Sequence, residues 1–413
     1  MNNIETIKLK NGLTIYLLEE KRRHSTFFEL VTYCGGQTKD FNHNKKEYHL
    51  QDGVAHILEH YIVECNNQGN FIEILGQEQM SSNAATTRKT TTFFFETVEK
   101  VSYGINTLLK SIYDVSFKEE KLKKIKNPIV QEIREKLDSK FYHLNRMKTK
   151  NLWKNTSYCD IGGTVEEIEK TTIKDLELLY NAFYHPKNQF IAIAGNFNKK
   201  EVLDTINQFY DSIQLKDYNT EVIKQKDSLE VLKKEDSFEF DTPEEFIDVT
   251  YKIDISNYSN IERLDLHFYI ESFLESSFSI TSPLYQKCIK DQIILEPLGI
   301  NISLFDYYLI VSIGGFTSNR EELKKRILEE MIHKENFNEE KFNLNKTNAK
   351  IGLILRDENI FKMIGPFLKN VINFNYPYID KIEDIERLNF KDLKKYVNKL
   401  DMTHYTITSI IKK

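Results

Sequence analysis

Strand and helix patterns alternate along this chain of 413 residues, and the alternation runs through twice. The opening stretch TIKLKNGLTIYLLEE alternates apolar and polar residues about Asn11-Gly12, which predicts a β-hairpin, and Phe27 to Tyr33 predicts a further strand. A helix over residues 53 to 64 and a Thr- and Phe-rich strand in TTRKTTTFFFETV follow. Apolar spacing then predicts helices over Glu99 to Ser116, Glu119 to Lys140 with an interruption at Pro128, and Thr171 to Phe183, before a buried strand in NQFIAIAGNF. The second cycle reads FIDVTYKIDI as strand, Ile261 to Glu275 and Leu284 to Ile294 as helices, and DYYLIVSIGGF as strand. Arg320 to His333 and Glu339 to Arg356 then read as helices and YTITSII as a last strand. Residues 215 to 240 are charged and lack long apolar runs, so they read as a linker. A chain patterned this way is expected to be α+β, with two tandem units of related architecture over residues 1 to 214 and 241 to 413.

The first cycle carries an unusual helix. In GVAHILEHYIVE, Gly53 to Glu64, two histidines and a glutamate interrupt an apolar segment. His56 and His60 lie one helical turn apart, so their imidazoles can converge on one ion, and Glu59 shares that side. A catalytic zinc site needs three protein ligands, one open position for water, and an unligated carboxylate to take the water's proton. HxxEH supplies two ligands and the base. The alternative is two packing or surface histidines in accidental spacing, but a chain of this composition yields such a match on the order of 0.02 times. A third ligand has to come from elsewhere. NPIVQEIREKLDS offers Glu132 among Ile129, Val130 and Ile133; taken alone, it reads as a solvated helix-face carboxylate.

Composition narrows the function classes. A formal charge of -5 with 29% charged residues leaves no basic surplus for nucleic acid. Cys34, Cys65, Cys159 and Cys288 are far apart with no CxxC pair, so they read as ordinary thiols in a reducing compartment. Lysines interrupt the N-terminal apolar residues, and no run reaches membrane-spanning length, so the expected location is cytoplasmic.

Several stretches together resemble a known family. LKNGLTIYL near the start, HxxEH, SSNAATTRKTTTFFF and IGGTVEEIEKTTIKDLELLYNAFYHPKNQFIAIAGNF are similar to the inverzincin metallopeptidases of the pitrilysin and insulysin family, which includes the mitochondrial processing peptidases. In that family a zinc-binding glutamate follows the motif by roughly seventy to eighty residues; here 71 residues, 61 to 131, lie between His60 and Glu132. The likeness is greatest to the two-domain cytosolic subunits of low-GC Gram-positive bacteria, and it is detailed over residues 5 to 200 and only in outline beyond. The resemblance implies two α/β sandwich units, of which the first holds one zinc ion, and paired chains that enclose a chamber where an extended peptide is cut. It implies that His56, His60 and Glu132 bind zinc and that Glu59 is the general base. It also places Asn83 and Ala84 on the strand whose edge pairs with the substrate backbone; on local chemistry Asn83 reads equally as a strand-end turn residue.

Two departures matter. The family often has a second acid seven residues before the zinc-binding glutamate, where this chain has Ile125, so a supporting partner is missing or comes from elsewhere, with Glu135 as the candidate. In its second half the family carries an Arg and a Tyr seven apart that grip the substrate and the developing oxyanion. LYQKCIKDQIILE puts Ile289 and Glu296 there instead. The resemblance therefore implies a heterodimer rather than a homodimer, with a paralogous subunit bringing the Arg/Tyr pair. The implied activity is a zinc endopeptidase acting on small peptides or on precursors such as leader peptides. Two other readings remain: a silent peptide-binding or scaffold homologue, against which the four intact motif residues argue, and a short HxxEH lyase of the S-ribosylhomocysteine lyase kind, against which the tandem length argues.

Overall fold

The computed structural model describes residues 4–154, 160–223, 226–334, 338–356 and 359–413. They form two compact units, one of residues 1–138 and 157–224, the other of residues 139–156 and 225–413.

In the first unit β1 (Glu5–Lys8) and β2 (Thr14–Glu19) form the hairpin expected from Asn11-Gly12, with Lys8 opposite Thr14 and Gly12 at φ 95°. They are followed by β3 (Thr26–Thr32), β4 (Asp40–His43), β5 (Lys46–His49), α1 (Val54–Cys65), α2 (Phe71–Gln77), β6 (Ser81–Thr86), β7 (Thr91–Thr97), α3 (Val101–Tyr113) and α4 (Glu119–Leu137). The next helix, α5 (Lys140–Leu152), belongs to the second unit. The first unit resumes with α6 (Val165–Lys170), α7 (Ile173–Phe183), β8 (Gln189–Gly195), α8 (Lys199–Ser212) and β9 (Thr220–Val222). Its main sheet has the order β1-β2-β8-β3-β7-β6, with β2 and β8 parallel and β6 at one edge; β5-β4-β9 make a smaller sheet. β3 sends Phe28 and Leu30 into the core that α1 and α4 share, and turns Phe27, Glu29 and Val31 to the opposite face.

α4 corrects one expectation. It runs through Pro128 without a break. Proline removes one hydrogen bond, but Leu122, Ile125, Ile129, Val130 and Ile133 are buried on both sides of it, and that packing holds the helix continuous.

In the second unit α5 precedes β10 (Glu235–Phe240), β11 (Glu245–Asp254), α9 (Asn260–Phe278), α10 (Pro283–Lys290), β12 (Gly299–Leu304) and β13 (Tyr308–Thr317). Then come α11 (Arg320–His333), α12 (Glu339–Arg356), α13 (Ile360–Phe374), α14 (Ile382–Arg387), α15 (Phe390–Lys399) and β14 (Tyr405–Lys412). The stretch 215–240, read as a linker, thus contains β9 and β10. β10 pairs in parallel with β14 and half-buries only alternate residues, Phe238 and Phe240 among them, so it has no continuous apolar run to announce it. The helix expected over Leu284 to Ile294 stops at Lys290, because Ile294 bridges to Thr317 and extends the chain toward the sheet.

The sheet order β10-β14-β11-β13-β12 repeats β2-β8-β3-β7-β6, with the parallel pair in the same place. By chain order and sheet position, α9, β12 and α12 are the counterparts of α1, β6 and α4. Two related α+β units are therefore what the chain forms. Cys34, Cys65 and Cys288 are buried free thiols, and Cys159 lies outside the described residues. No helix among the described residues is long and apolar enough to cross a membrane.

Candidate metal centre

α1 begins at Gly53, whose φ of 85° suits glycine, and a side chain there would press on the Gly162 carbonyl at 2.7 Å. Gly163, at φ 70°, leaves similarly little room beside the Asp52 carbonyl. Two motif stretches far apart in sequence, DG before HxxEH and the IGG segment, therefore meet, and this contact sets where α1 starts. Val54, Ile57, Leu58, Tyr61 and Ile62 bury one face of α1. The Tyr61 hydroxyl donates to the Ser116 carbonyl at 2.9 Å and accepts the Lys118 amide at 2.8 Å, which ties α1 to the start of α4. His56 and His60 project from the other side, with ring centroids 4.8 Å apart and planes at 80°.

Glu132 reaches the same point from α4. Its Oε2 lies 3.8 Å from His56 Nε2 and 3.8 Å from His60 Nε2, and donor atoms of all three residues lie within 4.8 Å of one another. Three donors around one tetrahedral zinc at about 2.0–2.2 Å stand about 3.4 Å apart, so a small side-chain rotation closes this set on an ion. The fold accordingly places Glu132 beside the histidines and not simply in solvent. Its other oxygen accepts a hydrogen bond from Lys136 Nζ at 2.6 Å. Burial pushes the Glu132 carboxyl upward, but the Lys136 hydrogen bond and the charges of His56, Lys136 and His60 outweigh it and hold the group below its usual range.

The donor chemistry fits zinc. Burial, with the neighbouring charge of His60, brings His56 down to about 4, so near neutrality its imidazole is the unprotonated form that ligates metals. Its buried Nδ1 has no hydrogen-bond partner among the described residues, whereas Nδ1 of His60 faces Glu64 Oε1 at 3.4 Å. Ile125 is buried in the core, Glu135 accepts a hydrogen bond from Gln131 at 3.1 Å, and the further acid seen beside a site imidazole is Glu64. Glu64 holds that place for His60 and went unnoticed in the sequence, although it lies at i+4.

Glu59 stands apart from the donor cluster. It is 7% exposed, and its Oε2 accepts a hydrogen bond from Thr86 Oγ1 at 2.5 Å. Thr91 Oγ1, 3.3 Å from Thr86 Oγ1, donates its proton to the Cys34 carbonyl at 2.8 Å and so has none to give to Thr86. Burial raises the Glu59 carboxyl, and the Thr86 hydrogen bond offsets part of that rise. Thr86 is the last residue of β6, so this edge strand touches the site directly. Asn83 and Ala84 lie on it opposite Phe94 and Phe93, and the Asn83 side chain accepts the Ala84 amide at 2.9 Å. In the second unit Ile289 sits on α10 and Glu296 between α10 and β12, both exposed.

Comparison with known proteins supplies the context. Residues 45–161 match the family model described as Insulinase (Peptidase family M16), and residues 170–349 match the one described as Peptidase M16 inactive domain. Together they cover well over half of the chain, and His56, Glu59, His60 and Glu132 all fall within the first. Among curated relatives, "Uncharacterized zinc protease YmfH" of Bacillus subtilis is 24% identical over 399 residues, 94% of this chain and 92% of its own. "Zinc protease PqqE" of Helicobacter pylori is 22% identical over 217 residues, 51% of this chain and 47% of its own. Among solved structures, an M16-like peptidase from Alicyclobacillus acidocaldarius superposes with a TM-score of 0.90 at 19% identity, over 100% of this chain and 99% of that one. A protease from Helicobacter pylori gives 0.83 at 16% identity, over 99% of both chains. At these identities the structural matches speak for the fold.

Proposed function

Since the chain belongs to the insulinase (M16) family of zinc proteases, we propose that it is a zinc-dependent endopeptidase, with one ion held by His56, His60 and Glu132 and with Glu59 as general base. The observation that carries this is the convergence of two imidazoles from α1 and a carboxylate from α4, with a separate buried carboxylate beside them. Zinc bound there would supply a Lewis acid that makes water more acidic and polarises a carbonyl. The chain's own residues do the rest. Glu59, held through one oxygen by Thr86, keeps the other to take a proton from water and return it to the leaving amine. The free edge of β6, with Asn83 and Ala84, would pair with an extended backbone, which suits small peptides or precursors such as leader peptides. No hydrogen-bond donor for the developing oxyanion comes from Ile289, and Glu296 would repel it. A well-placed donor is worth about 10² to 10³ in rate, so the proposal includes a paralogous partner subunit that carries Arg and Tyr at those two positions.

The test has two readouts. Elemental analysis should find one zinc per chain. Glu59→Gln should keep the zinc and cut hydrolysis of quenched fluorescent peptides by about 10² to 10⁴-fold. A chain that takes up no zinc from excess metal, or wild-type turnover by Glu59→Gln, overturns the assignment. Activity that rises on mixing with the Arg/Tyr paralogue supports the partner; full activity alone, unchanged by it, removes that part.

A further inference from the structure

The two oxygens of Glu132 have different neighbours. Oε2 faces Nε2 of His56 and of His60, 3.8 Å from each, while Oε1 accepts a hydrogen bond from Lys136 Nζ at 2.6 Å. Among the described residues the carboxylate makes no other hydrogen bond. Lys136 follows Glu132 by one turn of α4, and Ile129, Val130 and Ile133 bury the adjoining face and fix the rotation of the helix. Covalent spacing and packing together thus set where the ammonium meets the carboxylate.

Spacing of this kind is common on helix surfaces. Glu166 and Lys170 make an i, i+4 pair of the same 2.6 Å length, well exposed, and such a pair adds little to stability. Glu132 differs because its second oxygen belongs to a donor cluster. A carboxylate has two oxygens that can both ligate, and a catalytic zinc site has three protein donors and one position left for water. If both oxygens of Glu132 turned to the ion, the second would crowd that position. An oxygen already bonded to an ammonium is not free to do so.

We propose that Lys136 is a positioning residue that holds Glu132 as a one-oxygen metal ligand and so keeps the place of the reacting water open. The inference rests on the zinc reading and adds to it a residue that touches neither the metal nor the substrate. It also answers the absence of an acid at Ile125: the support for the third ligand is a base from the following turn of the same helix, which takes the oxygen that is not needed.

The experiment is the visible absorption spectrum of the full chain loaded with cobalt(II), whose bands weaken as the coordination number rises above four. The wild-type chain should give the intense four-coordinate spectrum. Lys136→Met should lose intensity, because the freed Oε1 becomes a fifth donor. Lys136→Arg should restore it, since an arginine at this spacing reaches a glutamate elsewhere in the chain: Arg326 Nε donates to Glu322 Oε1 at 2.9 Å. With zinc, Lys136→Met should lower peptide turnover about 10 to 100-fold. Thermal unfolding of both variants should match the wild type, as expected for an exposed pair. An unchanged cobalt spectrum in Lys136→Met, or a changed one that Lys136→Arg does not restore, overturns this proposal and leaves the zinc assignment standing. A wild-type chain that takes up no cobalt overturns both.

Discussion

The two units share a sheet order and a helix succession, yet the same position in each carries different chemistry. Where α1, β6 and α4 bring together His56, Glu59, His60, Thr86 and Glu132, their counterparts α9, β12 and α12 border a cavity where α12 contributes Ala349 and Leu353 and no carboxylate. β6 pairs with β7 by setting Thr86 opposite Thr91, and β12 pairs with β13 by setting Leu304 opposite Leu309. Thus a hydroxyl that orients a carboxylate in one unit is an aliphatic group in the other. The scaffold does not dictate the chemistry; a handful of side chains grafted on it does.

The reverse faces of the two sheets differ as well. β11 turns Lys252 to the face away from its core, fully buried, where Nζ meets Asp227 Oδ2 at 2.5 Å and the Ser228 carbonyl at 2.6 Å and lies 4.1 Å from the centre of the Trp153 ring. β3 turns Glu29 to its own reverse face, where burial pushes it up to about 7 and only a hydrogen bond with Thr92 opposes the rise. A buried charge with a partner is tolerated, whereas a lone carboxyl stays protonated instead.

The sharpest way to break the first contrast is His60→Ala, which should remove zinc and with it essentially all hydrolysis, because two donors no longer make a catalytic set; metal analysis with a peptide assay reads both. Asp227→Ala tests the second contrast. It leaves Lys252 buried and unpaired and should cost about 3 to 5 kcal/mol in chemical or thermal unfolding.

Glu29→Gln has the opposite sign. The folded chain keeps the Glu29 proton to about pH 7, and the unfolded chain releases it near the ordinary 4.5. Between those values unfolding releases a proton, so Glu29 makes stability fall as pH rises, by about 3 kcal/mol in all, and nothing further is lost above them. Denaturant unfolding at pH 5 and pH 8 should show this decline in the wild-type chain and a smaller one in Glu29→Gln. The smallest effect is expected at Thr86. Thr86→Val should lower kcat about tenfold with KM and zinc content unchanged, and Thr86→Ser should restore it. Loss of zinc from Thr86→Val would show that the residue acts on the metal cluster and not through Glu59.

Much of this was legible in the residues themselves. Periodicity 2 and periodicity 3.6 reported the tandem α+β units, Asn11-Gly12 its hairpin, and the i, i+4 spacing of His56 and His60 a pair of convergent imidazoles, because these depend on local geometry. What failed locally failed for one reason. Pro128 and β10 follow tertiary packing, the first held by buried neighbours on both sides and the second paired to a strand about 170 positions later in the chain. The same holds at the site. Glu132 taken alone is a helix-surface carboxylate, and the shared core of α1 and α4, with ties such as those of Tyr61 and Lys121, sets it 3.8 Å from both imidazoles. Glu64 beside His60 and Thr86 on Glu59 are likewise relations between side chains. The sequence alone determined which groups with metal chemistry the chain possesses, and the tertiary structure decided which of them meet, since spacing along a helix is set by covalent geometry while distance between helices is set by what packs between them.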